Sequence, residues 1–161
     1  MGNLRKKRIG TKYFEGTVTV TDPCYNRGSG GWTKEVEVKA GEYECIIWKS
    51  REVYTYEGRE VVERRVGNIG IYYNRLIPPQ TMMEHIGDIS VDAGLAGFFM
   101  NKPDYNDDEW SEFCDSIRKG DAWIKDEGFF SSSGYGDGVY PVYAIKKHGS
   151  SEIIGLEIRF L

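Results

Sequence analysis

A mainly β fold of the α+β kind is what this sequence predicts, and three observations predict it. Stretches such as Glu15-Gly-Thr-Val-Thr-Val-Thr21 alternate β-branched and polar positions, the pattern of a half-buried strand. Glycine punctuation is frequent, 20 Gly against 5 Pro, and spreads along the chain, as in a protein of many strands and turns. A single stretch, after Asn106, carries helical spacing. The expectation is a β-sandwich or partly open barrel of about nine to eleven short strands with one covering helix.

The first strand is expected over Glu15 to Thr21, ended by Asp22-Pro23. Asn26 to Gly31 reads as a flexible loop. Glu35 to Lys39 and Glu42 to Lys49 read as two strands joined by a turn at Ala40-Gly41. Glu52 to Tyr56 and Glu60 to Arg65 flank Glu57-Gly58-Arg59 as a second hairpin. Val66 to Tyr73 is strand-like, and Pro78-Pro79 breaks the pattern. Asp88 to Asp92 is a short strand, Ala93-Gly94 a turn, and Leu95 to Met100 an apolar run. Asn106 with Asp107, Asp108 and Glu109 opens the helix, because an Asx cap and first-turn acids complement the helix dipole. Trp110, Phe113, Cys114 and Ile117 form its apolar stripe, and Lys119-Gly120 is the expected C-terminal end. Phe129-Phe130 leads into a Ser/Gly-rich loop, and Val139 to Lys146 pairs with Glu152 to Phe160 as a terminal hairpin.

A chain of 161 residues fits one domain, residues 1–161, large enough to fold without staples. The basic run Leu4-Arg5-Lys6-Lys7-Arg8 reads as part of a flexible arm at 1–12, with cations free to touch phosphate or an acidic partner. The net charge of −4 argues against duplex DNA, which requires a dense basic face. Three cysteines at irregular spacing and two histidines give neither a disulfide framework nor a structural zinc site. No apolar run reaches the roughly 20 residues of a membrane helix, so no membrane partner and a cytoplasmic location are expected.

Three acids share a setting beside a turn former at a strand end: Asp22, Asp92 and Asp137. Converging carboxylates would suit Mg²⁺ or Ca²⁺, or would divide acid and base roles. The alternative is that each aspartate bonds nearby backbone N–H groups, as turn residues do. The segment Ser131 to Gly138 is the second candidate, with Ser132, Ser133, Gly134, Tyr135 and Gly136. Its glycines permit φ > 0 and a row of exposed N–H groups that would hold an anion, and Tyr135 and Tyr140 would stack on a ring. No Gly-Lys-Ser/Thr follows, so it is not a P-loop. Arg27 and Arg75 are candidate sources of positive charge, and Cys24 beside Tyr25 is either a reactive thiol or a buried inert one. Nucleophilic catalysis has little support, with no histidine near the serines in sequence.

The ordered segments Val20-Thr-Asp-Pro-Cys-Tyr25, Lys39-Ala-Gly-Glu-Tyr43, Val91-Asp-Ala-Gly94, Ser132-Ser-Gly-Tyr-Gly-Asp-Gly138 and Tyr140-Pro-Val-Tyr143 resemble the bacterial domain-of-unknown-function family numbered 4241, over about residues 16 to 161. The resemblance implies a β-rich fold and a place in bacterial or phage genomes, with no established activity. It also places Asp22, Asp92 and Asp137 inside the family's motifs, and with them Tyr25 as a site residue. The expectation is a small-ligand binding module for an anionic or nucleotide-like ligand, with no cofactor, as in a phage protein that sequesters a nucleotide-derived immune signal. The alternatives are a metal-dependent hydrolase or phosphodiesterase, with Mg²⁺ on the aspartates, and a protein-interaction or immunity-type module. Homo-oligomers are compatible with every one of these.

Overall fold

The computed structural model describes residues 4–28, 30–73 and 81–161. Arg75 and Pro78-Pro79 lie outside them. Among the described residues, nine strands form one antiparallel sheet in the order β4-β8-β9-β3-β2-β1-β5-β7-β6. The strands are β1 (Arg5–Thr21), β2 (Lys34–Tyr56), β3 (Arg59–Tyr73), β4 (Thr81–Val91), β5 (Leu95–Phe99), β6 (Ala122–Lys125), β7 (Gly128–Ser132), β8 (Gly138–Lys147) and β9 (Ile153–Arg159). The helix α1 (Asp107–Ser116) lies between β5 and β6. The mainly β architecture with a single helix is therefore as the sequence predicts.

The strands are longer than expected. The 23 residues of β2 run straight through the turn anticipated at Ala40-Gly41, with Gly41 opposite Phe14 of β1. Gly41 is needed there for a different reason: a Cβ at this position would come within 2.6 Å of the Tyr73 ring. The ring occupies space that a turn glycine would have left open. The basic segment is also ordered. Arg5 to Lys12 belong to β1 and pair with Lys49 to Tyr43 of β2, so the arm anticipated at 1–12 is strand from Arg5 onward. Continuous pairing with β2 overrides the solvation of its charges. β6 was not legible, since Ala122–Lys125 is short and shows no alternation.

Bulges at Arg8/Gly10 and Phe14/Gly16 in β1, near Trp48 between β2 and β3, and at His85/Gly87 in β4 bend the long strands. The sheet curls as a result without closing into a barrel. Its main core gathers Phe14, Val18 and Val20 of β1 with Ile69 and Ile71, Ile89 and Val91, Phe98, Phe129, Leu156 and Ile158. One cluster drawn from strands at both ends of the sheet requires that curl. The chain just before β2 also meets β4: Ser90 N donates to the Trp32 carbonyl at 3.1 Å, and Trp32 N to Ser90 Oγ at 2.8 Å.

A smaller core lies on the other side of β5 and β7. Successive residues of a strand face opposite ways. Phe98 and Phe129 thus enter the main core, while Phe99 and Phe130 pack beneath α1 with Phe113. The helix begins as expected, with a complete capping box. Asn106 Oδ1 accepts from Glu109 N at 2.8 Å, and Glu109 Oε1 accepts from Asn106 N at 3.0 Å. Trp110, Phe113 and Ile117 face the small core, but Cys114 is exposed. The helix ends at Ile117, which turns extended, rather than at Lys119-Gly120. Two residues of the expected last turn instead lead into β6. Among the described residues, no helix is long and apolar enough to cross a membrane.

Candidate functional site

The pairing brings the three aspartates to one end of the sheet. Val91 pairs with Gly138, so Asp92 and Asp137 flank a single cross-strand pair, and Asp22 follows the last residue of β1 close by. Their side chains do different work. Asp22 is fully buried. Its Oδ1 accepts from Cys24 N at 2.9 Å, and its Oδ2 accepts from Asp92 N at 2.9 Å and Ala93 N at 2.6 Å. The carboxylate thus ties the turn after β1 to the turn between β4 and β5. Asp92 and Asp137 are exposed. Among the described residues no three His, Cys, Asp or Glu side chains group as metal ligands. The convergence expected from sequence is one of strand ends, not of free carboxylates. Asp22 is taken up by one local donor, Cys24 N, as turn aspartates are, and by two donors from the β4–β5 turn some 70 residues away.

Burial is the main cause that pushes the Cys24 thiol up to about 12, and the adjacent Asp22 carboxylate adds to it. Cys45, buried on β2 between β1 and β3, is also raised to about 12, chiefly by burial. Neither is a thiolate near neutral pH, so Cys24 is the inert kind of cysteine. A thiol reagent added to the native protein at pH 8 should modify Cys114 alone at a measurable rate, and all three cysteines in denaturant. Rapid labelling of Cys24 in the native state would contradict this assignment.

The Ser131 to Gly138 segment is tied down by its own groups and by neighbouring turns. Ser132 N donates to the Asp121 carbonyl at 2.9 Å, Ser133 N to Gly94 O at 2.9 Å, Gly134 N to Ser132 Oγ at 3.1 Å and Tyr135 N to Ser133 O at 2.7 Å. The hydroxyls are engaged as well: Ser133 Oγ donates to Gly136 O at 2.7 Å, and Tyr140 OH donates to the same carbonyl at 2.8 Å. The open row of amides expected over residues 132–135 is therefore occupied internally. Tyr135 lies beneath the Arg65 guanidinium, 5.2 Å from ring centroid to Cζ, and its hydroxyl donates to Glu52 at 2.7 Å. Tyr140 packs edge-on to Phe160. Both rings are framework. Gly134 shows why glycine stands here, with φ of +73° and the Val66 carbonyl at 2.0 Å from where a Cβ would be.

The concave surface lies beside this end of the sheet, and Tyr25 is the expected site residue that lines it. A cavity of about 650 Å³ is bounded by Thr17, Thr19 and Thr21, by Tyr25 to Gly28, and by Asn101, Lys102 and Asp104. The threonines alternate along β1, so their side chains share one face, opposite the buried Val18 and Val20. That alternation was legible in the sequence, but it served only to mark a strand. Two contacts hold the facing loop. Asn26 bonds both backbone groups of Tyr105, accepting from its N–H at 2.8 Å and donating to its carbonyl at 2.7 Å, while Asp104 Oδ1 accepts from Arg27 N at 2.9 Å. Arg27 is exposed on the wall of this cavity. Burial lowers the Lys102 ammonium from its ordinary value, and its Nζ donates to the Pro103 carbonyl at 2.8 Å.

A second hollow of about 290 Å³ adjoins the first across Tyr25, Gly30 and Gly31, and is lined by Trp32, Ser90 and Val139. The Tyr25 ring lies flat on Gly31, where a Cβ would meet it at 2.5 Å. The two hollows thus differ in chemistry on either side of one tyrosine: hydroxyls, the cations Arg27 and Lys102 and the acids Glu35 and Asp104 on one side, an exposed indole and a valine on the other. Comparison with family models, curated proteins and solved structures finds no match for this chain.

Proposed function

We propose that the protein is a binding module for a small nucleotide-like anion, held across the two hollows that meet at Tyr25. The observation that carries this reading is their pairing: a polar cavity with Thr17, Thr19, Arg27 and Lys102, and with Glu35 and Asp104 on the same wall, adjoins a hollow walled by Trp32. Phosphate and hydroxyl groups suit the first, and a planar base stacks on the second. The saturated Asp22 carboxylate favours binding over metal-assisted hydrolysis. A ligand held and released unchanged is also what sequestration of a nucleotide signal would require.

The test is a thermal-shift panel of mono-, di- and cyclic nucleotides, followed by calorimetry. At a ligand concentration of 100 Kd, stabilisation of about 2.7 kcal/mol is expected, which raises Tm by roughly 5–10 °C. Trp32→Ala and Lys102→Ala should each weaken binding about tenfold, the size of one lost stacking or charged contact. A panel without any shift would overturn the proposal.

A further inference from the structure

Apart from these hollows, a groove of about 820 Å³ runs across the far part of β1, β2 and β3, lined by Leu4, Arg5, Lys6, Lys7, Lys49, Ser50, Arg51 and Arg64. Six of its eight lining residues are cations and none is an acid, in a protein with a net charge of −4. The pairing makes the clustering costly. Arg51 stands directly opposite Arg64, and Arg5 opposite Lys49. Like charges directly across an antiparallel pair destabilise it. Lys49 is offset by an ion pair with Asp121, but among the described residues Arg5, Lys6, Lys7, Arg51 and Arg64 have no carboxylate partner. The neighbouring like-charge pair behaves differently. Glu52 and Glu63 also stand opposite one another, yet Glu52 accepts from Tyr135 OH, and Glu63 accepts from Tyr54 OH and pairs with Arg65. The acids are compensated within the fold, and the cations are left for something outside it.

We infer that this groove binds the phosphodiester backbone of a single-stranded nucleic acid. Neighbouring strands lie about 4.8 Å apart, so the cations from β1 to β3 span roughly 10 Å, enough for a few successive phosphates. The site does not depend on the small-ligand reading. The six cations of the groove match a strand that carries a charge on every residue, and an acidic peptide is the competing occupant that the displacement experiment decides. A groove of this width, in an acidic protein, does not suit a long duplex.

The test is fluorescence anisotropy with a labelled oligo-dT strand at several salt concentrations, on the full chain. The expected result is binding at low salt, with log K falling against log[salt] at a slope of about −2 to −3.5, as for three to five neutralised phosphates. Arg51→Gln/Arg64→Gln should weaken binding at least tenfold and flatten the slope. The same double variant without ligand should melt higher than the unsubstituted protein at low salt, because it removes the repulsion between the two guanidinium groups. That readout also excludes misfolding as the cause of lost binding. Three results would each overturn the inference: no strand binding at low salt, unchanged binding by the double variant, or displacement of the strand by poly-glutamate as effectively as by unlabelled oligo-dT. Since Arg51 and Arg64 lie outside the hollows at Tyr25, the variant leaves any nucleotide shift there intact, and failure of one reading does not count against the other.

Discussion

Asp22→Ala should lower the stability of the protein by about 3 kcal/mol or more, a fall in Tm of roughly 6–12 °C. The side chain is fully buried and accepts three backbone N–H groups, from Cys24, Asp92 and Ala93. Removing it leaves those donors unpaired, and each buried unpaired donor costs about 1–3 kcal/mol. The effect reaches beyond one turn, because two of the donors belong to the β4–β5 connection and the third to the chain after β1. Asp22→Asn keeps one acceptor oxygen but must turn an NH₂ group toward at least one N–H donor. It should therefore lose less than the alanine variant, about 1–2 kcal/mol. Urea unfolding of the two variants beside the unsubstituted protein measures this directly. If alanine cost no more than a typical surface change, within about 0.5 kcal/mol, Asp22 would not be the tie assigned to it.

Gly134→Ala is the second large effect, and Gly136→Ala is its control. Both glycines have positive φ, +73° and +86°. Any L residue loses about 1 kcal/mol in that region. At Gly136 nothing lies within 4 Å of the added Cβ, so that cost should be the whole effect. At Gly134 the Cβ would also meet the Val66 carbonyl at 2.0 Å, and backbone must move to admit it. Such a shift would pull the Gly134 carbonyl from Arg65, which donates to it at 2.9 Å, and loosen the packing of Tyr135. The expected loss is about 2–4 kcal/mol for Gly134→Ala against about 1 kcal/mol for Gly136→Ala, read from chemical denaturation. Equal losses would mean that conformation alone, and not close approach to β3, selects glycine at position 134.

The hairpin around Glu57-Gly58 and the last hairpin were legible for physical reasons that act locally. The connection expected over Glu57-Gly58-Arg59 is a two-residue turn, with φ values of +49° and +75° at Glu57 and Gly58 and Arg59 already paired in β3. Val139 to Lys146 and Glu152 to Phe160 pair as expected because alternation and turn residues both sit within a short stretch of chain. The turn placed at Ala40-Gly41 fails on a distant cause. Gly41 makes room for Tyr73, which β3 brings alongside from some 30 residues away. The same distinction separates the candidate sites. Glycines in the Ser131 to Gly138 segment signal unusual backbone, and the backbone is unusual, but the partners that use up its N–H groups come from residues 94 and 121 as well as from the loop.

By itself the sequence determined the mainly β class, the capped start of the helix and the terminal hairpin, because alternation and capping residues are properties of neighbours. The tertiary structure alone decided which groups are free. It spends Asp22 and the Ser132 to Tyr135 amides on internal hydrogen bonds, gathers the threonines of β1 against Arg27 and Lys102, and sets Arg51 across from Arg64. Whether a carboxylate, an amide or a cation is available to a ligand depends on partners brought from remote parts of the chain, and strand register and the curl of the sheet choose those partners.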